Sequence, residues 1–301
     1  MNNLILMTVC FIVGMLLRRS GRMPENAPAT INSFIIHISV PALTLLYLHD
    51  FKFGADILLI SIMPWLMFAF SAGYFWLIGR WFGLSRATVG ALTLTGGMSN
   101  TAFFGLPMVE AYYGHSAIPI AIVIDQLGSF MVLSTLGITV AGIYSSGRPT
   151  LGEIVKRIAS FPPIISLVVT LVLIPVEYAD WFIALLKRLG DTLAPLAMLS
   201  VGLQLQLGHA AEHKRDLAIG LLFKLLVGPL LILLLYVPLY GASGQAIQVT
   251  IFEAAMPPMI TAAIVAAEHD LNPPLANLMV AAGLIISFAT LSMWWVVLRW
   301  V

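Results

Sequence analysis

The stretch ATVGALTLTGGMSNTAFFGLPMVEAYY, residues 87–113, decides how this chain is read. It is long and apolar enough to cross a bilayer, which takes about 20 residues. Its centre, however, is polar: Ser99, Asn100 and Thr101 offer side chains to backbone groups that leave the helical ladder. Gly96 and Gly97 weaken the helix just before them. Pro107 has no amide hydrogen and so frees the carbonyl of Phe103. The segment predicts a membrane helix broken near its middle.

A second stretch, SGQAIQVTIFEAAMPPMITAAIVAAEH at 243–269, has the same design. Its centre falls on Met256, beside Pro257 and Pro258, which remove two amide donors and free the carbonyls of Glu253 and Ala254. Unwound backbone at that depth survives only where it is buried in protein or lines a cavity. The half-helices that follow begin near Thr101 and Met259, and their free amides and positive dipole ends favour an anion. Ser99, Asn100, Thr101, Met256, Pro257, Pro258 and Met259 are therefore the candidate substrate-binding residues. The plain alternative is a pair of kinks shaped for packing.

The rest of the chain provides the setting. Of 301 residues, 60% are hydrophobic and 10% charged, and mean hydropathy is +0.98. A soluble domain carries about 25% charged residues. The solvent around most of this chain must be hydrocarbon. A net charge of +1 offers nothing to nucleic acid. Cys10 is the only cysteine, which excludes an intrachain disulfide and a cysteine metal cluster. Leu4 to Leu17 is apolar and is followed, not preceded, by Arg18, Arg19 and Arg22. That order is the reverse of a signal peptide and predicts a first helix that is retained.

Apolar runs predict ten spans near 3–18, 28–48, 56–80, 87–113, 116–144, 158–177, 182–207, 216–240, 243–269 and 274–299. One set of loops holds Arg18, Arg19, Arg22, Arg80, Arg86, Arg148, Lys156, Arg157, Lys214 and Arg215; the other holds Lys52, Lys187, Arg188 and Arg299. Ten positive charges against four put the first set in the cytoplasm and both termini outside. Pro41 matches Pro195, Asn100 matches Pro257, and Gly128 matches Gly283, at offsets of 154, 157 and 155. The chain thus divides into repeats 1–146 and 158–301, with a short cytoplasmic linker at 147–157. Five spans per half is an odd number, so the second half is inverted. The predicted fold is an all-α membrane protein of two inverted five-helix repeats with broken crossover helices four and nine.

Ionisable residues inside spans are functional candidates by default. Asp125 shares a polar stripe with Gly128, Ser129, Thr135 and Thr139 at three- and four-residue steps. Lys224 lies too deep for its stem to reach water comfortably, and Asp125 is its expected buried partner. Glu253 stands one turn before Pro257, where a carboxylate would hold sodium together with backbone oxygens or carry a proton. It would repel an anionic substrate unless protonated or paired, so it suits coupling better than recognition. His37 and Asp191 each precede the matched prolines by four residues and are weaker candidates for coupling or support. Structural hydrogen bonding is the alternative for all five. Lys187 and Arg188 read as headgroup anchors, and Trp294, Trp295 and Trp300 as an interfacial belt. His209 and His213, four residues apart on a polar loop, read as solvated rather than as metal ligands. No Gly-x-Ser-x-Gly, His-Glu-x-x-His or phosphate loop is present, so the sequence points away from an enzyme and from ATP coupling.

GGMSNTAFFGLP at 96–107 resembles the Gly-Asn-x-x-Phe-x-Gly-x-Pro type motif of the auxin efflux carrier family. FKLLVGPL at 223–230 and LAPLAMLSVGLQL at 193–205 are similar to the same family, and the resemblance spans essentially the whole chain. It implies ten helices, a scaffold and a mobile transport domain, crossing broken helices, elevator-type alternating access, and Asn100 as a carboxylate ligand. It also implies a bacterial inner-membrane location. The long cytoplasmic loop of plant members is missing: only Ser145–Arg157 stands between spans five and six. Loop phosphorylation and the auxin ring are therefore not implied.

The leading expectation is a secondary transporter of a small mono- or dicarboxylate, with no cofactor and with sodium or proton coupling. A sodium-coupled symporter of the related bile-acid type is the runner-up. A sensor or channel on the same fold is the third reading. Expected partners are the organic anion and the bilayer, with a homodimer compatible with the fold.

Overall fold

The computed structural model describes residues 2–49, 57–145, 151–204 and 213–301. Among these residues the chain is helical almost throughout, and the β-type contact it contains is one antiparallel bridge between Ser99 and Pro258. Lys52, Arg148 and His209 lie outside the described residues.

Among the described residues, five helices are long and apolar enough to cross a membrane: Ala27–Leu48, Ile57–Phe82, His115–Tyr144, Lys214–Leu239 and Pro273–Leu298. Their ends fall within a few residues of the predicted spans. Large apolar side chains cover their outer faces; Leu58 is 69% exposed. Such surfaces are stable only against lipid or another apolar face.

Proline and polar side chains loosen several of these helices into wide i→i+5 turns. One covers Ile35–Ser39, just before Pro41, and another covers Phe223–Val227, before Pro229. A proline cannot donate to the carbonyl four residues back, and a wide turn absorbs the mismatch. Ile124–Ser129 is a third, which holds Asp125. Wide turns of this kind concentrate at functional sites.

Two predicted features differ in detail. The span expected at 182–207 is two helices, Asp180–Gly190 and Leu193–Gln204. The amide of Asp191 bonds the carbonyl of Lys187 and that of Thr192 bonds Leu189, which closes the first helix as a turn. The linker at 147–157 contains the start of a helix, Leu151–Ala159. Leu151, Ile154, Val155 and Ile158 recur at helical spacing there, an amphipathic pattern hidden by its charges.

The chain folds into two compact units, each assembled from both halves of the sequence. The first comprises Met1–Gly54, Ala102–Ile122 and Lys156–Leu205. In it the helices Asn2–Ser20 and Leu193–Gln204 pack through Gly14 and Gly202: a Cβ on Gly14 would strike the carbonyl of Leu199, and one on Gly202 the carbonyl of Phe11. Small residues allow membrane helices this close an approach. Ser200 donates to Asn32 Oδ1 at 2.6 Å, and the Ser39 and Thr192 hydroxyls lie 2.7 Å apart.

The second unit comprises Ala55–Thr101, Val123–Val155 and Gln206–Val301. Its core includes Phe68, Leu94, Met98, Leu133, Ala262 and Val265, all buried. Close seating is again set by glycine. Gly96 and Gly97 lie against Phe75, Ser71 and Phe68, and Gly128 lies against Pro64.

Candidate functional site

The first break is where the sequence placed it. The helix Arg86–Gly97 ends, Met98 turns extended at φ −104°, ψ 119°, and helix resumes at Thr101. The second is also as expected: Gln245–Ala254 stops before the two prolines, and Ile260–Glu268 follows. The structure adds that the two breaks lie against each other. The amide of Asn100 donates to the carbonyl of Pro257 at 2.9 Å, and the amide of Met259 to the carbonyl of Met98 at 3.0 Å. A short antiparallel crossing results, in which each break satisfies backbone groups of the other. Ser99, Asn100, Thr101, Met256, Pro257, Pro258 and Met259 are all buried. The crossing rests on Gly283, where a Cβ would come within 2.5 Å of the Pro258 ring.

The three intramembrane ionisable candidates gather in this same unit, and Lys224 and Glu253 are fully buried. Lys224 projects from its wide turn and donates to Ser99 Oγ and to the carbonyl of Ala254, each at 2.7 Å. Ser99 Oγ also donates to that carbonyl, at 3.2 Å. The expected pairing of Lys224 with Asp125 is thus replaced. The carbonyl freed by Pro258 at the end of its half-helix is an acceptor on the negative dipole end, and it attracts the ammonium. Asp125 instead receives the Thr101 hydroxyl at 2.6 Å. Glu253 interacts electrostatically with both Lys224 and Asp125. Its two carboxyl oxygens have no hydrogen-bond partner among the described residues.

The amide donors expected near Thr101 and Met259 are partly committed. Thr101 N–H bonds the carbonyl of Ser99 and Met259 N–H that of Met98. The donors left for an anion at the second break lie one step further on. Ile260, Thr261 and Ala262 open their helix, and its first amides lack intrahelical acceptors.

His37 and Asp191 belong to the other unit. His37 is exposed, with Nδ1 2.8 Å from the Ser33 carbonyl one turn back, as a structural histidine would be. Asp191 lines a cavity of about 280 Å³ with Leu6, Pro107, Glu110, His115 and Lys187. Gln126 is fully buried beside Asp125 in the same wide turn, and its position next to a membrane carboxylate was the available signal for a residue the sequence did not single out. The role of Ser99 as a lysine acceptor had no local signal.

The comparison that decides the family covers residues 1–295, which match the model of a family described as membrane transport protein. The chain belongs to this family. An uncharacterized transporter from Methanothermobacter thermautotrophicus is 28% identical over 297 residues, 96% of this chain and 95% of that protein. An uncharacterized transporter from Methanocaldococcus jannaschii is 24% identical over 309 residues, 99% of each chain. This membrane transport protein is therefore a transporter rather than an enzyme.

Proposed function

We propose that the protein is a secondary transporter that carries a small mono- or dicarboxylate across the bacterial inner membrane by elevator-type alternating access. The observation that carries this reading is the hydrogen-bonded crossing of two broken helices around buried Asn100. Breaks that line a site, with half-helix N-termini aimed at an anion, are one way membrane transporters hold carboxylates. A neutral amide donates without the cost of burying another charge. In this reading Asn100 and the opening amides of Ile260–Glu268 receive the carboxylate, while Met256, Pro257, Pro258 and Met259 shape the crossing.

The ten-span inverted repeat belongs to the same proposal. It is supported by the antiparallel run of the two breaks, which is how matched segments of an inverted pair meet, and by the positions matched between the halves. The unit containing the crossing is the mobile element and the other is the scaffold. Asp125 and Glu253 serve coupling: Asp125 accepts a hydrogen bond from Thr101 of the first break, and Glu253 stands one turn before Pro257 of the second. Both termini face outside.

Uptake of a panel of radiolabelled carboxylates into proteoliposomes tests this reading. Saturable uptake with counterflow of one of them is the expected result. A conductive leak without counterflow would make it a channel, and no flux of any carboxylate would make it a sensor or a carrier of another class.

A further inference from the structure

Lys224 has the surroundings of a bound alkali cation. Its ammonium touches a hydroxyl, Ser99 Oγ, and a helix-terminal carbonyl, Ala254 O, each at 2.7 Å. A carboxylate, Glu253, lies within electrostatic reach. Hydroxyl, freed carbonyl and carboxylate are hard oxygen ligands, the set that broken membrane helices offer to a coupling sodium ion. The carbonyl is also the negative end of the half-helix Gln245–Ala254, which favours a cation on its axis. Here a covalently tethered cation holds that position. It reaches both breaks at once, since Ser99 belongs to the first and Ala254 to the second.

We propose that the Lys224 ammonium is a built-in substitute for a coupling cation: it occupies the oxygen cage behind the crossing and makes sodium unnecessary to the transport cycle. The inference rests on the crossing being the transport site, and it settles which ion the site uses. A sodium ion entering the same cage would have to displace a buried ammonium from two 2.7 Å hydrogen bonds, and like charges would then share one low-dielectric pocket. Among the described residues, the charges facing Lys224 from elsewhere in its unit are carboxylates: Glu253 on the helix Gln245–Ala254 and, through Glu253, Asp125 on the wide turn Ile124–Ser129. With sodium excluded, the remaining mobile charge carrier at the crossing is the proton, carried on those two carboxyl groups.

The cage also explains why Glu253 tolerates full burial without a hydrogen-bond donor of its own. A fixed positive charge nearby compensates it, and removal of that charge leaves a carboxylate in need of a cation. Lys224→Ser should therefore convert the cage into a sodium site, since it removes the ammonium and leaves Ser99 Oγ, the Ala254 carbonyl and Glu253 in place.

The test uses purified full-length protein in detergent and sodium alone as the probe, read as thermal unfolding while choline chloride is replaced by sodium chloride at constant ionic strength. The wild type should show no sodium-dependent shift. Lys224→Ser should be less stable in choline and should regain stability saturably with sodium. Saturable stabilisation is the signature of a ligand that binds the folded state. The double variant Lys224→Met, Glu253→Gln, which removes both charges together, should fold without a sodium response. A saturable sodium shift in the wild type would overturn the proposal, as would a folded Lys224→Ser indifferent to sodium. If Lys224→Ser fails to fold, the decision falls to the wild-type titration together with Ser99→Ala, which weakens the cage and should leave the wild-type indifference to sodium unchanged. No substrate enters the measurement, so a failed carboxylate uptake screen would reject the transport reading without touching this result.

Discussion

The amide of Asn100 donates to the carbonyl of Pro257 at 2.9 Å. One hydrogen bond thus joins the midpoints of two segments 157 positions apart. Proline is the reason. Pro257, immediately before the second proline, sits in unwound backbone with its carbonyl unclaimed by the helix, and in hydrocarbon that carbonyl must find a donor. Asn100 supplies it from the opposite break and leaves its side chain in the buried crossing.

The seat of the crossing makes the first prediction. A methyl group on Gly283 would press within 2.5 Å of the Pro258 ring, whose backbone is pinned by its bridge to Ser99. Gly283→Ala should therefore cost about 1–3 kcal/mol through overpacking, and Gly283→Val more. Thermal unfolding in detergent checks this. A neutral Gly283→Val would mean that the crossing is free to move away from the tenth predicted span.

The carboxylates make the second. Asp125→Asn keeps an oxygen to accept the Thr101 hydroxyl, so the variant should fold and bind substrate. It cannot exchange a proton, so uptake driven by a proton gradient should be lost while counterflow persists. Glu253→Gln should behave alike. Gradient-driven uptake at wild-type rates in both variants would assign these residues to structure alone.

The third concerns orientation. The proposal that both termini face outside rests on ten basic residues in one set of loops against four in the other. A membrane-impermeant label should reach a C-terminal tag in intact cells. Labelling only after permeabilisation would reverse the topology and, with it, the assignment of the cytoplasmic face.

The breaks were legible because glycine pairs and consecutive prolines act locally on the backbone. Their physical consequence is the same in any fold. The long spans were legible because hydrocarbon demands uniformly apolar segments. The partner of Lys224 was not. Sequence shows that a buried ammonium needs an acceptor, but Asp125, Ser99 and the Ala254 carbonyl were equally available until the backbone crossed. The partners of the amides at Thr101 and Met259 were not legible for a related reason: the Met259 amide bonds Met98 across the crossing, and the Thr101 amide bonds Ser99 within its own break. The division at 182–207 was hidden because no proline stands at Gly190, Asp191 or Thr192, and the close seat of Gly190 against Leu43 is a tertiary contact with no local signal.

The central claim is that Asn100 holds the substrate carboxylate, and the most direct test is binding of the transported carboxylate to purified Asn100→Ala that retains wild-type thermal stability. The loss of one hydrogen bond to a charged group, roughly 1.5–3 kcal/mol, should weaken affinity by about 10- to 150-fold. Affinity equal to that of the wild type would place the anion away from the crossing and contradict the account.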